Sequence, residues 1–445
     1  MGEAETVVAS MYDKAMETLS REALDALQDT RLRAVVARVA ATVPFYRDRF
    51  AEAGVAAGAV RSRDDLPALP FTRKADLRAQ YPFGLFAVPR ESVVRLHASS
   101  GTKGKPTVVG YTAADLDLWA SCCARALTCA GVRPGDVVHN AYGYGLFTGG
   151  LGLHDGVERL GGTVVPASGG NTPRQLLLLQ DFGARVLCCT PSYALTISAA
   201  LAESGLPREA FNLEIGVFGA EPWGEEMRRR VEKELDIVAL DIYGLSEVLG
   251  PGVAMECAEG RDGLHIWEDH FLPEIVDPAT GAVLPDGRFG ELVITTLTKE
   301  AMPVIRYRTG DITALVDAPC PCGRTHRRMA KVSGRTDDML IVRGVNVFPS
   351  EVERVVLAET RLAPLYTITV DRHDALDALE VETELAPDQM GLRDDVLALA
   401  GLRAAVNKTL DAALGISVDL IVHPVGALPR SEGKAQRVFD RRATL

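Results

Sequence analysis

With 445 residues, 47% of them hydrophobic, the chain has enough apolar material for a large domain and a smaller one, which excludes a disordered or fibrous protein. Its 48 Lys and Arg face 60 Asp and Glu, and a formal charge of -12 argues against duplex nucleic acid or an anionic membrane as partner. No apolar run approaches the ~18 residues of a membrane span, and the opening MGEAETVVAS lacks the basic and apolar regions of a signal peptide, so a cytoplasmic location is expected.

The first informative segment is LHASSGTKGKPTVVGYT, residues 96–112. SVVRLHA before it and PTVVGYT after it read as strands, so the polar stretch is a strand-loop-strand hairpin, unlike the strand-loop-helix of a Walker A site. Ser99 stands where a Walker A loop has its first glycine, and Pro106 follows Lys105. Glycines that admit backbone N–H groups, hydroxyl donors and lysines still favour a polyanion.

From about residue 130 to 250, short β-branched runs (DVVHNAYG, GTVVPAS, ARVLCCT, IGVFGAEP, IVALDIYG) alternate with helical stretches such as GEEMRRRVEKEL. That order predicts βαβ units and a mostly parallel sheet, with ligands at the polar ends of the strands. After Gly290 the reading turns antiparallel through ELVITTLTKEAMPVIRYRTGDITALV, and KVSGRTDDMLIVRG reads as a joint between domains. Beyond it the order is strand (MLIVR), helix (SEVERVVLAE, with Ser350 and Glu353 spaced as a capping box), strand (LYTITV), strand (LEVETEL), helix and strand (VDLIVHPV). This βαββαβ order fits a small α+β domain. The fold class is therefore α/β, with a large N-terminal domain of mostly parallel sheets plus a β-structured portion over 1–335, and a small α+β domain over 336–445.

Eight cysteines are too few for a disulfide scaffold of this length. Cys122, Cys123, Cys129, Cys188 and Cys189 lie in apolar runs, where cysteine behaves as a small buried hydrophobe. Cys257, Cys320 and Cys322 lie in polar loops, and with His265 they would complete a closed tetrahedral structural zinc site. His326 is the rival fourth ligand and His270 a weaker one. Neither half has the common C-x2-C spacing.

SSGTKGKP resembles the phosphate loop of the adenylate-forming (ANL) enzymes, and HASSGTKGKPTVVGYT with YGYGLFTGG resembles their phenylacetate-CoA ligase branch. The likeness recurs in order through FGAEPW, DIYGLSE, GLHIWEDHF, LTKEAMPVIRYRTGD, GRTDDMLIVRGVNVFPSEVE and RSEGKAQRV. An ordered series is far more specific than a lone glycine loop. Lys103 departs from the threonine usual in the family.

The resemblance implies a role for each segment. Ser99, Ser100, Gly101, Thr102, Gly104 and Lys105 would hold the β- and γ-phosphates of ATP, and Lys103 would add a positive charge to that nucleotide loop. Gly219, Ala220, Glu221 and Pro222 would line the adenine pocket. In DIYGLSE, Asp241, Ile242 and Gly244 would belong to the nucleotide site, Tyr243 would stack on adenine, Ser246 would lie near the α-phosphate and Glu247 would ligate Mg²⁺. Asp311 would accept from the ribose hydroxyls, with Arg335 nearby. Lys434 would reach the α-phosphate and carboxylate from a mobile small domain, with Asp337 as its hinge. The acid pocket would comprise Tyr142, Tyr144, Phe147, Gly149 and Ala220, the aromatics as flat walls and the glycines leaving room for a ring.

The expected activity is an AMP-forming ligase that activates an aryl or arylacetic acid with ATP and transfers it to coenzyme A, using Mg²⁺ and a structural Zn²⁺. The alternative delivers the acyl group to a carrier-protein phosphopantetheine or an amine. A third class, a nucleotide binder without catalysis, would need neither Glu247 nor Lys434. A homodimer is the family-based expectation.

Overall fold

In the computed structural model, which describes residues 10–99, 105–336, 340–343, 345–373, 376–430 and 435–442, the alternating run becomes the parallel half of a nine-stranded sheet. Thr163–Val165, Val137–Asn140, Val186–Cys189, Ile215–Gly219 and Val238–Leu245 lie side by side in that order. Helices supply the long crossovers that parallel strands require. Leu249–Glu256 follows its neighbour after a tight turn and so pairs antiparallel, and Leu264–Ile266, Arg328–Met329 and Leu315–Val316 continue that half. A second, four-stranded antiparallel sheet comprises Phe271–Val276, Gly290–Thr296, Tyr307–Thr313 and Gly334–Arg335.

The polar loop joins Arg95–Ala98 and Val108–Tyr111, which pair antiparallel as the sequence suggests. The helix Ala113–Cys129 begins on a capping box, in which Thr112 Oγ1 accepts from Asp115 N at 3.0 Å and the Asp115 carboxylate accepts from Thr112 N at 2.9 Å. Against it lies the helix Gly149–Leu160, at a distance only glycine allows. An added Cβ would stand 2.4 Å from the Trp119 ring at Gly152 and 2.4 Å from Cys123 at Gly156. Those glycines are spent on helix packing. Cys122, Cys123, Cys129, Cys188 and Cys189 are buried free thiols, as their apolar surroundings imply.

Toward the C-terminus, a sheet runs in the order Asp419–His423, Leu376–Leu385, Leu362–His373 and Val438–Asp440. The helices Pro349–Ala358 and Val396–Leu414 share a core with it through Val352, Val356, Leu402, Val406 and Leu410. Three details differ from the sequence reading. MLIVR stays out of this sheet, because Leu340–Val342 folds back on Val345–Val347. A short edge strand, Val438–Asp440, pairs parallel to Ile368–Val370. The capping box at Ser350 does not form, because the helix starts at Pro349 and Ser350 Oγ donates to Ser333 O at 2.8 Å.

Buried charge ties the N-terminal helices to this frame. Glu17, fully buried, accepts from Arg324 Nε at 2.6 Å, and Arg125 forks onto Asp269 at 2.8 and 3.4 Å. His270 adjoins that pair, with Nδ1 2.9 Å from Thr298 Oγ1 and Nε2 3.0 Å from the Asp269 carboxylate. Burial lowers its pKa from 6.5 to about 4, overriding the pull of Asp269. The unfolded chain therefore takes up this proton near pH 6.5 and the folded chain only near pH 4, so stability falls as pH drops through that window. Thermal melting between pH 7 and 4 should record this loss. His270→Gln should flatten the slope by at most ~1.4 kcal/mol per pH unit, whereas an unchanged slope would assign the loss to other groups.

Candidate active site at the strand ends

The parallel strands deliver their polar ends to one rim, as open α/β sheets do. After Val137–Asn140 come Tyr142 and Tyr144; after Ile215–Gly219 comes the GAEP turn; Val238–Leu245 carries Asp241 to Gly244 and leads into Ser246 and Glu247. Register sets Phe218 beside Asp241 and Gly219 beside Ile242. A Cβ at Gly219 would lie 2.2 Å from Ile242 O, so the strands can approach this closely only with glycine there. Ala220 then turns the chain at φ 70°, a left-handed conformation that costs an L-residue about 1 kcal/mol. Gly244 is similarly constrained, since its Cβ would meet Leu249 O at 2.6 Å.

Three of the sequence-assigned nucleotide residues are joined by hydrogen bonds. Asp311 accepts from Tyr243 OH at 2.6 Å through one carboxylate oxygen and from Arg335 NH1 at 2.6 Å through the other. Arg335 also donates to Thr309 O at 3.1 Å. Asp241 lies below this group, and burial pushes its carboxyl up to about 6 although Lys331 pulls the other way.

Ser246 Oγ is 3.2 Å from Thr148 Oγ1, which brings the DIYGLSE segment to the loop of aromatics. Glu247 is only 6% exposed, yet among the described residues no hydrogen bond or ion pair engages its carboxylate. A buried oxygen donor with no hydrogen bond or ion pair at such a rim suits a hard cation. The next residue, Val248, accepts through its carbonyl from Lys299 Nζ at 3.1 Å. Lys299 is almost fully buried with its ammonium 4.7 Å from the Tyr111 ring centroid, and burial lowers it to about 8 against the pull of Asp115 and Glu247. The sequence reading missed Lys299; its one signal was a lysine set in the otherwise apolar LTKEAMPVI.

In the aromatic loop, Tyr142 is buried, and its hydroxyl has no partner among the described residues. Tyr144 OH accepts from Asn140 Nδ2 at 2.9 Å and lies 3.3 Å from His154 Nδ1, whereas Phe147 is 52% exposed. Gly149 opens the following helix, with space for a Cβ 3.6 Å from Tyr142. Leu146 O accepts from Ala98 N at 3.0 Å, binding this loop to the phosphate-loop hairpin. Ser99 closes that hairpin, its Oγ accepting from Thr107 N at 3.1 Å, and Lys105 sits over the Tyr81 ring. Ser100, Gly101, Thr102, Lys103, Gly104, Asp337 and Lys434 lie outside the described residues.

Cys257, His265, Cys320 and Cys322 converge, all buried, with their ligand atoms within 4.8 Å of one another. Cys257 Sγ is 3.4 Å from Cys320 Sγ, and Cys322 Sγ is 3.3 Å from His265 Nε2. His265 Nδ1 lies 3.0 Å from His326 O, which makes Nε2 the free acceptor facing the sulfurs. His326 is engaged instead with Ile266 O and Met16 O at 3.1 and 3.0 Å, and His270 with Thr298 and Asp269.

Residues 22–298 match the family model of AMP-binding enzymes, and residues 344–442 match the AMP-binding enzyme C-terminal domain. A phenylacetate-coenzyme A ligase of Thermus thermophilus is 54% identical over 443 residues, covering 97% of this chain and 100% of its own. One from Escherichia coli is 52% identical, with 96% and 97% covered. Among solved structures, 2-hydroxyisobutyryl-CoA ligase in the postadenylation state with R3-HIB-AMP superposes with a TM-score of 0.90 at 28% identity, covering 99% of this chain and 96% of its own. The same ligase in the thioesterification state with 2-HIB-AMP and CoA gives 0.72 at the same identity and coverage.

The close approach at Gly219 is testable by itself. Gly219→Ala must displace the Ile242 peptide, and a loss of stability on the order of 3 kcal/mol is expected by denaturant melting. A wild-type melting curve would show that the strand ends tolerate separation.

Proposed function

The chain belongs to the phenylacetate-coenzyme A ligase family of AMP-binding enzymes, and on that premise we propose how its residues divide the work of an AMP-forming acid–thiol ligase. The observation that carries the reading is likeness to such a ligase over 97% of the chain. The substrate is an aryl or arylacetic acid. Its carboxylate oxygen attacks the α-phosphorus of ATP, pyrophosphate leaves, and the thiol sulfur of CoA then attacks the acyl carbon while AMP leaves.

The Asp311 carboxylate, held by Tyr243 and Arg335 from two sides, accepts the ribose hydroxyls, and the Tyr243 ring forms one wall for adenine. The GAEP turn, residues 219–222, forms the opposite wall through its backbone. Residues 99–105 clasp the outer phosphates. Glu247 holds Mg²⁺, which neutralises phosphate charge when bound. Tyr142 and Ala220 face the acid, with Tyr144, Phe147 and Gly149 around the loop mouth; the exposure of Phe147 supports a role at the entrance. Lys434 supplies the cation for the transition-state oxygens.

We assign residues 1–335 to the adenylation domain and 336–445 to a lid that turns about Asp337 between the two half-reactions. The higher TM-score against the postadenylation state, 0.90 against 0.72, supports placing the present arrangement on the adenylate side of that turn. The relatives' names favour CoA over a carrier protein or amine as acceptor. No helix among the described residues is long and apolar enough to cross a membrane.

The cysteine cluster fits zinc. A tetrahedron with arms of about 2.3 Å has its ligands about 3.8 Å apart, close to the contacts between Cys257, His265, Cys320 and Cys322. With four protein ligands there is no open position, so its role is structural.

Two measurements test this reading. Pyrophosphate release should depend on an aromatic acid, and CoA should yield the acyl thioester. Release without a CoA product would move the acceptor to a carrier or amine, and silence with every acid would reject the ligase reading. Protein purified without added zinc should hold about one zinc per chain, and Cys322→Ser should lose the metal and melt earlier. A stoichiometry near zero in folded protein would reject the zinc site.

A further inference from the structure

The Glu221 side chain does not face the nucleotide rim alone. Its Oε1 accepts from Ser192 N at 2.8 Å, and its Oε2 accepts from Ala435 N at 3.2 Å, in the segment immediately after Lys434. Two residues further on, Arg437 NH2 donates to Ser192 Oγ at 2.6 Å, while NH1 binds Glu353 Oε2 and lies 3.2 Å from Tyr366 OH. Glu353 Oε1 in turn accepts from Gly224 N at 3.1 Å, and Glu353 Oε2 accepts from Tyr366 OH at 3.1 Å. The ring of contacts thus runs Glu221, Ser192, Arg437, Glu353, Gly224, gripping the 219–224 turn at two points.

The same stretch of chain is also fixed to the small domain. Arg437 O accepts from Ile368 N at 2.7 Å, and Val438–Asp440 pairs with the Leu362–His373 strand. The Arg437 side chain is 15% exposed and that of Glu353 6%, so water competes little for these bonds. The failed capping box has its explanation here: Glu353 lies where a capping box would place its acid, yet its carboxylate is turned to Arg437, Tyr366 and Gly224.

A lysine carries a compact charge on a flexible four-carbon stem, so where its ammonium acts depends on where its backbone is held. An anchor one residue away restricts that backbone, and a displacement of 1 Å can cost about 100-fold in rate. We propose that Glu221, Ser192, Arg437 and Glu353 are positioning residues for the adenylation half-reaction, holding Ala435 and Arg437, the chain that follows Lys434, to Ser192 and the GAEP turn. The proposal rests on the adenylation role assigned to Lys434. By this device the turn assigned to the adenine pocket also holds the residue that follows the lysine.

The test separates the half-reactions. Adenylation is read by phenylacetate-dependent exchange of pyrophosphate into ATP, and thioester formation by supplying phenylacetyl-adenylate and CoA. Arg437→Met, which keeps the apolar stem, should lower exchange about 10- to 100-fold with thioester formation within about twofold of wild type. Arg437→Lys should recover part of the exchange. Ser192→Ala, which removes one hydroxyl, should do the same more weakly, and it guards against misfolding of the arginine variant. Because these residues act through Lys434, the double variant Arg437→Met/Lys434→Ala should be no slower in exchange than Lys434→Ala alone. Equal losses in both half-reactions, unchanged exchange in both Arg437→Met and Ser192→Ala, or additive loss in the double variant would overturn the proposal. If Lys434→Ala itself spares exchange, the assignment of the lysine fails and the proposal with it; if only Lys434→Ala matters, the lysine stands and the positioning set falls.

Discussion

The Asp311 carboxylate is where the parts of this molecule are joined. It belongs to the four-stranded sheet, accepts from Tyr243 at the end of a strand of the nine-stranded sheet, and accepts from Arg335, its partner on the neighbouring strand of its own sheet. A carboxylate that is 4% exposed is tolerable only if its donors stay in place, because an unpaired buried charge costs several kcal/mol. The relative setting of the two sheets and the geometry of the nucleotide rim are therefore one constraint. Lys299 reinforces it from below, reaching from the loop after Gly290–Thr296 to the carbonyl next to Glu247.

Much of this was legible in the sequence. β-branched runs separated by helical stretches located the parallel strands, and Pro106 with its flanking strands identified the hairpin. The ordered segments placed Tyr243, Asp311 and Arg335 in one site before any contact was known. Residue type also pointed to the cysteine cluster, but could not choose between His265 and His326. Pairing of His265 with Arg328 across the sheet, and the capture of His326 by backbone carbonyls, decided that choice. Such register is tertiary information.

The sequence misled where one pattern serves two purposes. A glycine can leave space for a ligand or admit a close approach, and Gly152 and Gly156 bring two helices together. Ser350 and Glu353 have capping spacing, yet Ser350 turns to Ser333, and Glu353 to Gly224, Tyr366 and Arg437. Lys299 and Arg437 were passed over because an isolated cation in sequence is usually solvated; their burial follows from partners 51 and 245 positions away.

The buried pair of Glu17 and Arg324 has a consequence for how the protein is made. The two residues are 307 positions apart. At roughly 5–20 residues per second of synthesis, the first helix waits on the order of 15–60 s for its partner to leave the ribosome. Hairpins and helix pairs form in microseconds once their residues exist. Glu17 must therefore do without this partner through most of translation, with only Asp13 N at 2.8 Å and the more distant Arg125 at 3.9 Å available earlier. Nascent chains stalled before Arg324 should be the vulnerable species, with Glu17 still lacking the shorter of its two ion pairs.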